Sequence, residues 1–362
     1  MFSILSVALF ATSAQSLLHH LIRSKRHLFS SRPASGTLTR YSIASNYELV
    51  DEGTMDVPFS CNTTKFTSLH LTSASQNAGI WGSASTGTCS VLFGVTVDGY
   101  TQLRSKEIAG DVHSLAWGPN GHNLHALDSH ASSSSVTSIV NYHISDDPNL
   151  EDIVRTDILA NVSDASQIVS HPTGNRIYVV TKGTNELVTV ALEQDGTSIK
   201  IAVAPSRYKL LPSSLDASKF HTSSLAISAS KKVLWTLSQS ANQAVVVAFT
   251  LNPATGEVID AAARASWGGA GDGQLTAASF ETGDIVAIAN SPMGFVTLLG
   301  LDQGTPTIAQ SFDSVVGHEY LEQLSVTKGR RGGAVLAAPK IKSYGRISLD
   351  EFVTMGESIW VD

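Results

Sequence analysis

Residues 166–202 read SQIVSHPTGNRIYVVTKGTNELVTVALEQDGTSIKIA, a run of four short apolar segments separated by three turns. The first turn, His171–Asn175, contains a proline that fixes φ and a Gly-Asn pair that tolerates positive φ. The segments Arg176–Thr181 and Glu186–Leu192 are rich in β-branched residues, which favour strands. The stretch therefore predicts four consecutive strands of one sheet.

Similar units recur along the chain, and their spacing predicts the fold. With the unit at Ser166 included, the start-to-start spacings are 46, 53, 56, 53 and 46 residues. This is the length of a four-stranded propeller blade, and no long window shows the periodicity of an amphipathic helix. The sequence predicts an all-β propeller. The other units begin near Thr67, His113, Thr222, Leu275 and Leu321.

The two ends of the chain predict how the propeller closes. Residues 27–60 contain three strand-like pieces and resemble a blade without its first strand, which Glu357–Val361 would supply. Sharing one blade between the termini leaves no open sheet edge. We predict seven blades closed by N- and C-terminal strands that share a blade. Six blades, or a pair of β-sandwich domains, are the alternatives, although no Pro-rich or Gly/Ser-rich linker divides the repeat.

Composition excludes several classes of protein. The chain has 362 residues, 42% hydrophobic and 15% charged, which is typical of a folded domain. Its net charge of −7 argues against nucleic-acid binding, which needs a basic face. Two cysteines cannot form a multi-cysteine zinc site, and the chain lacks a P-loop, a Rossmann fingerprint and a G-x-S-x-G elbow. We therefore expect no metal, no cofactor and, beyond the N-terminal leader, no hydrophobic run long enough for a membrane span.

The N-terminus predicts a leader. Phe2–Ala11 is an apolar run too short to span a bilayer, and it fits the core of a secretory signal. The basic pair Lys25-Arg26 is typical of the end of a short propeptide. We divide the chain into a leader and propeptide, 1–26, and one propeller domain, 27–362, of a secreted protein. The Arg- and Ser-rich, acid-poor stretch 15–40 keeps a mitochondrial transit peptide open as the alternative.

Two further features fit secretion. Asn62-Thr63-Thr64 and Asn161-Val162-Ser163 are N-glycosylation sequons, so Asn62 and Asn161 are candidate glycosylation sites. Cys61 and Cys89 form an even pair that could bridge in an oxidising compartment. Two unpaired buried thiols are the alternative.

The unit 166–196 resembles the lactonase-type propellers, in which the pattern His-Pro-small-Gly-x-x-[Leu/Ile/Val]-Tyr recurs at an inner hairpin. This group includes bacterial 6-phosphogluconolactonases and the fungal 3-carboxy-cis,cis-muconate cyclases. The opening HLFSSRPASGTLTRYSI and the ending MGESIWVD are most similar to the fungal cyclases and their secreted glycoprotein relatives. The resemblance implies a cofactor-independent lactone chemistry at the mouth of the central channel, with cations for a polycarboxylate and a general acid for protonation.

Carried over residue by residue, the resemblance retains His113 as the catalytic candidate, in the context Asp111-Val112-His113-Ser114-Leu115. An arginine of the cyclase pattern falls on Ser166, and a glutamate falls on Lys182. Where the pattern has a further arginine, this chain has Lys219 and His221, and a last arginine falls on Gln239 or Ser240. The charged set that would hold a tricarboxylate is therefore depleted.

Two functions follow as hypotheses. The first is a secreted, non-catalytic propeller glycoprotein that serves as a binding scaffold. The second is a cofactor-independent enzyme, either an intramolecular lyase of the muconate-cyclase type or a lactonase. In either case the candidate site is the channel mouth, which could take a small anion. The candidate ligand-binding residues there are Lys182, His221, His318 and Glu319.

Overall fold

The computed structural model is built almost entirely of β-strands, with one short 3-10 helix among the described residues. Within these residues, no helix is long and apolar enough to cross a membrane. The described residues are 5–7, 21–24, 27–32, 36–44, 49–56, 66–72, 79–96, 102–119, 121–128, 137–144, 151–159, 161–173, 176–195, 198–202, 204–268, 274–277, 284–289, 295–302, 322–323, 340–348 and 359–361.

The strands are short, from two to eleven residues long. The first thirteen are β1 (Leu5–Val7), β2 (Leu21–Ser24), β3 (His27–Arg32), β4 (Thr37–Ile43), β5 (Leu49–Asp56), β6 (Phe66–Thr72), β7 (Gly79–Ser85), β8 (Cys89–Thr96), β9 (Gln102–Ala109), β10 (Val112–Trp117), β11 (Asn123–Asp128), β12 (Ser138–Ile144) and β13 (Glu151–Ile158). The next nine are β14 (Ala165–Ser170), β15 (Arg176–Thr181), β16 (Glu186–Asp195), β17 (Ser198–Ile201), β18 (Ser206–Lys209), β19 (His221–Ile227), β20 (Val233–Gln239), β21 (Gln243–Leu251) and β22 (Val258–Gly268), with the 3-10 helix Ala217–Lys219 before β19. The last six are β23 (Gln274–Ala277), β24 (Val286–Ala289), β25 (Phe295–Asp302), β26 (Glu322–Gln323), β27 (Lys340–Ser348) and β28 (Ile359–Val361).

These strands form six antiparallel sheets of four or five strands and one two-stranded pair. The first, second and third sheets are β2–β5, β6–β9 and β10–β13, each in chain order. The fourth is β14–β17, with β18 also paired to β16. The fifth is β19–β22 with β26 on its outer edge, and the sixth is β23, β24, β25 and β27. The pair β1–β28 we call the terminal pair.

The first strands of consecutive sheets lie side by side. β2 contacts β6, and contacts then run from β6 to β10, β10 to β14, β14 to β19 and β19 to β23. β28 contacts both β23 and β2. Sheets arranged radially in this way around their first strands are the blades of a β-propeller.

The predicted unit starts agree closely with the sheets. Thr67, His113, Ser166, Thr222 and Leu275 are each the second residue of an observed first strand. The prediction at Leu321 was wrong for the residues the structure describes, because Glu322–Gln323 pairs with β22 of the fifth sheet. The strand Lys340–Ser348 completes the sixth sheet beside β25, which would otherwise present an open edge.

The predicted pairing of the C-terminal strand with residues 27–45 was also wrong. The first sheet takes its first strand from Leu21–Ser24, which pairs with β3 through a two-residue connection. A hairpin this short forms at little cost in chain entropy, so it takes the position predicted for the distant strand. Ile359–Val361 pairs instead with Leu5–Val7. Both β1 and β2 lie within the segment 1–26, whose assignment as a leader stays a prediction.

Apolar side chains fill the spaces between neighbouring sheets. Alternate faces of the third sheet supply two different clusters, one shared with Trp81 and Leu92 of the second sheet and one with Ile168 and Val179 of the fourth. Trp235 of the fifth sheet packs, fully buried, in a cluster that also contains residues of the sixth sheet. The third, fourth and fifth sheets are thus covered on both faces, which explains why their central strands read as continuous apolar runs.

The His171–Asn175 turn supports a turn of the next sheet. His171 is fully buried, and its ring packs edge-on against Tyr178, whose hydroxyl donates a hydrogen bond to the Gly256 carbonyl. Gly256 has φ +69°, and a Cβ there would lie 2.7 Å from Cγ of His171 and 2.8 Å from the Tyr178 hydroxyl oxygen. Only glycine therefore lets the fifth sheet's turn approach the fourth sheet this closely.

We expect Gly256→Ala to lower the free energy of unfolding by about 1–3 kcal/mol, because the new methyl group overlaps buried side chains. The measurement is urea unfolding followed by tryptophan fluorescence. Gly87→Ala is the control, since Gly87 also has positive φ, +95°, but nothing lies within 4 Å of an added Cβ. Equal losses in the two variants would show that backbone strain, not the contact between the sheets, sets the cost.

Candidate functional site

A β-bulge recurs at the start of four consecutive first strands. The register of β6, β10, β14 and β19 against the next strand skips one residue in each case. A bulge leaves its residue outside the ladder and re-aims its side chain. Four structurally equivalent positions therefore lie at one end of these sheets. The bulged residues are Thr67, His113, Ser166 and Ser223.

Two of the bulged side chains bond to the backbone of the next sheet. Nε2 of His113 lies 2.9 Å from the carbonyl oxygen of Ala165, at the start of β14. The Ser166 hydroxyl donates in the same way to the Thr222 carbonyl, at the start of β19, over 2.7 Å. Ala165 and Thr222 each come just before their own sheet's bulged residue, so the two contacts are equivalent.

In the third and fourth sheets, the residue after the bulge makes a second repeated contact. The Ser114 hydroxyl oxygen accepts a hydrogen bond from the Ile168 amide at 3.1 Å. The side-chain oxygen of Gln167 accepts one from the Leu225 amide at 2.8 Å. A first strand is the edge of its sheet and carries backbone groups without ladder partners. We call these two repeated contacts the clasp. In the clasp, side chains of one sheet form hydrogen bonds with backbone groups on the first strand of the next sheet.

His113 is held through both ring nitrogens. Nδ1 lies 2.9 Å from the carbonyl oxygen of Asp111, and Nε2 is in the clasp to Ala165. The Asp111 carboxylate stands 4.0 Å from Nδ1 and accepts a 2.6 Å hydrogen bond from the Ser85 hydroxyl. Both atoms facing the ring nitrogens are carbonyl oxygens, which only accept hydrogen bonds, and a neutral imidazole carries a single N–H, so the neutral ring donates to one of them at a time. The contact of Nε2 with Ala165 links the third sheet to the fourth.

Lys182 and His221 lie at the same end of the fourth and fifth sheets. Lys182 is exposed in the turn after β15, and its carbonyl oxygen accepts a hydrogen bond from the Thr222 amide at 3.3 Å. His221, half-buried, opens β19 opposite Gln239, which is buried at the end of β20. The structure thus places the candidates Lys182 and His221 on neighbouring sheets, with Ser166 between them and His113.

A buried asparagine fixes this part of the end face. Asn185 has φ +52° and donates through its side-chain amide to the carbonyl oxygens of Ala217 and Phe220, at 3.2 and 3.1 Å. Its side-chain oxygen accepts a hydrogen bond from the Thr222 hydroxyl at 2.9 Å. Sequence reasoning did not single out Asn185, and the only signal was an Asn in a turn, a residue that tolerates positive φ.

The remaining predicted sites fall on different parts of the chain. Asn161 is exposed in a turn with φ +58°, and its carbonyl oxygen accepts a hydrogen bond from Arg207 at 2.8 Å. Cys89 opens β8 and is disulfide-bonded, but the pairing with Cys61 stays a prediction. Within the part of the chain that the structure describes, no group of three His, Cys, Asp or Glu side chains could hold a metal ion. The predicted sites outside the described residues are Cys61, Asn62, His318 and Glu319.

Comparison with solved structures identifies the class of fold. The periplasmic gluconolactonase of Pseudomonas aeruginosa is similar over 92% of this chain and 88% of its own, with a TM-score of 0.61 and 15% identity. A protein from Lactobacillus plantarum is similar over 90% and 87%, with a TM-score of 0.60 and 12% identity. A 6-phosphogluconolactonase candidate from Bacteroides fragilis is similar over 89% and 86%, with a TM-score of 0.57 and 13% identity.

These likenesses confirm the predicted lactonase-type β-propeller fold. At such identities they show the fold alone, and the activities of the similar proteins are theirs. The sequence matches no protein-family model and no curated protein.

We expect Ser166→Ala to lower the free energy of unfolding by about 0.5–1.5 kcal/mol, the net worth of one hydrogen bond. The reason is that the Thr222 carbonyl loses the donor that joins the fourth and fifth sheets. Urea unfolding measures the change, and Ser213→Ala, at an exposed loop position, is the matched control. A loss no larger than that of the control would show that the clasp contributes nothing to stability.

Proposed function

We propose that this protein is a non-catalytic β-propeller that binds a small anionic ligand at the end of its first strands. The observation that carries the proposal is the position of the His113 ring. Both of its nitrogens lie 2.9 Å from backbone carbonyl oxygens. A general acid must present a ring N–H to its substrate, within hydrogen-bond reach of the atom that takes the proton. An imidazole occupied on both sides by backbone supports a structural role.

The absence of two arginines of the cyclase pattern from this chain supports the same proposal. Ser166, where the cyclase pattern has an arginine, is also part of the clasp. A serine hydroxyl cannot make the paired hydrogen bonds that a guanidinium offers a carboxylate. Gln239, where the last arginine of the pattern would fall, is buried, with its amide 3.5 Å from the Ser223 hydroxyl. Holding a tricarboxylate in such a site would strip its charges of water with little compensation.

The ligand that fits the proposal best is a small anion. Lys182 supplies an exposed ammonium and His221 an imidazole on the neighbouring sheet. An ammonium on a flexible stem binds anions as a point charge, without the fixed geometry that a catalytic site requires. His318 and Glu319, outside the described residues, remain candidates for the same site.

An enzyme remains the second candidate function, because the similar solved structures include a gluconolactonase. In that case the substrate would be a sugar lactone or a carboxymuconate, and no cofactor would be needed. The two candidates differ in one measurable respect, the turnover of such substrates.

We expect no turnover of 3-carboxy-cis,cis-muconate or of gluconolactone above the uncatalysed rate, because His113 is engaged by backbone. The assay follows the ultraviolet absorbance of the muconate and acid release from the lactone. Lys182→Ala and His221→Gln are then expected to weaken the binding of inorganic phosphate, used as the small anionic probe in calorimetry, with Lys200→Ala on an outer strand as the matched control.

Turnover that His113→Gln abolishes, in a variant that still unfolds cooperatively, would overturn the scaffold proposal in favour of an enzyme. Phosphate binding that Lys182→Ala, His221→Gln and Lys200→Ala all leave unchanged would remove the anion site but leave the question of catalysis to the turnover assay.

We further propose that the ring has seven blades, the terminal pair forming the seventh. β28 lies beside both β23 and β2 and pairs with β1, which supports closure by strands from both ends of the chain. The proposal that 1–26 is a leader bears on the same strands. Removal of that segment takes away β1 and β2, so the seven-bladed ring that we propose is that of the full-length chain.

Secretion and glycosylation belong to the same proposal. In a eukaryotic secretory host we expect the protein in the medium, with a glycan at Asn161, because that side chain is exposed in a turn. Endoglycosidase treatment should increase the gel mobility of the wild type, and Asn161→Gln should abolish part of that shift. N-terminal sequencing of the secreted protein locates the cleavage. Retention in mitochondria would contradict secretion and support the transit-peptide alternative.

A further inference from the structure

His125 is a buried histidine of the third sheet that no role assigned above uses. It lies on β11 and its side chain is 1% exposed. In the strand register it pairs with Ala116 on one side and Asn141 on the other, so these three share one face of the sheet. Ala116 belongs to the apolar cluster that the third sheet shares with the fourth. His125 therefore faces the joint between these two sheets.

A chain of hydrogen bonds fixes the protonation state of this ring. The Asn141 side-chain amide donates to the Asp157 carboxylate at 3.2 Å, which turns its oxygen toward His125. That oxygen lies 2.6 Å from Nδ1 of His125. Since an amide oxygen only accepts, Nδ1 carries the proton, and the neutral ring has its lone pair on Nε2.

Nε2 lies in the interior, next to the backbone of Gly118, where an added Cβ would be in van der Waals contact with it at 3.6 Å. The cluster members on this face, from both sheets, are apolar. The titratable and charged residues on the adjoining strands are His143 of β12, two residues beyond Asn141 and on the same face, and Glu151, Asp152, Arg155 and Asp157 of β13. Asp157 contacts the ring through Asn141.

We propose that His125 makes the joint between the third and fourth sheets sensitive to acid, the neutral ring holding it closed and the protonated ring loosening it. A proton taken up at Nε2 places a cation among apolar side chains of the joint, and the folded state gives up the tight packing there to hydrate it.

Burial lowers the pKa of His125 from its usual 6.5, and the hydrogen bond to Asn141 only partly offsets this effect. A lowered pKa means that the unfolded or opened state takes up the proton first as the pH falls. The stabilisation by neutral His125 is therefore complete above about pH 6.5 and is lost progressively below it. The pKa of His171 is also lowered, mainly by burial, but His171 lies at the joint between the fourth and fifth sheets.

The test is amide hydrogen exchange of the full-length protein at pH 7.5 and pH 5.0, corrected for intrinsic exchange rates and resolved by peptide. Peptides from β11, β12 and β14 are expected to exchange several-fold faster at pH 5.0, whereas peptides from β20 and β21 of the fifth sheet change less. In His125→Gln, which keeps a hydrogen-bonding side chain without a titratable ring, the difference between the two pH values should disappear from β11, β12 and β14.

His171→Gln is the matched control, a buried histidine at another joint, and it should keep the acid effect at β11, β12 and β14. If His125→Gln fails to fold, His125→Met serves instead, because it also lacks a titratable group and suits an apolar site. A uniform acid effect across all sheets of the wild type, or an acid effect at β11 and β12 that survives in the His125 variant, would overturn the proposal.

Discussion

The arrangement of this propeller depends on the hydrogen bonds that side chains of one sheet form with the backbone of the next sheet's edge strand. The first strand of a sheet pairs on one side only, and its other side carries amide and carbonyl groups that need partners. Here side chains of the third sheet bond to backbone groups of the fourth sheet's first strand, and side chains of the fourth sheet bond to those of the fifth, with the same two contacts. These contacts are directional, whereas the apolar packing between sheets is not. The clasp therefore sets how far one sheet is shifted along the next.

The same positions bear on function, because the bulged residues occupy the end face where a ligand would enter. A side chain that bonds to the neighbouring backbone is not available to a substrate. The lactonase-type resemblance places site residues at His113 and Ser166, and in this chain both belong to the clasp. On the end face between the fourth and fifth sheets, Lys182 is exposed and His221 is half-buried. Binding without catalysis is the function that we propose for this end face.

Polar groups buried between sheets have a second consequence. His125 and His171 are each placed at a joint where an apolar residue would pack without depending on pH. His171 supports a turn that requires Gly256, so its size and shape matter there. His125 ends a hydrogen-bond chain through Asn141 to Asp157, which gives it one tautomer and one orientation. Stability at these joints is thereby linked to the protonation of buried rings.

The sequence by itself determined the repeat and most of the strands, because period-two alternation and Gly, Pro and Asn turns are local properties. Five of the six predicted unit starts fall on the second residue of a first strand for that reason. The sequence did not determine the partners of the terminal strands. A short hairpin at 21–32 competes with a pairing between the two ends of the chain, and the strands of both pairings show the same alternation of residues. Nor did the sequence reveal that His113 and Ser166, equivalent in the repeat, both bond to the backbone of the next sheet. Only the tertiary structure decided this, because a bulge shifts the register by one residue and the carbonyl groups that accept from these side chains belong to a different sheet, about fifty residues away in the chain.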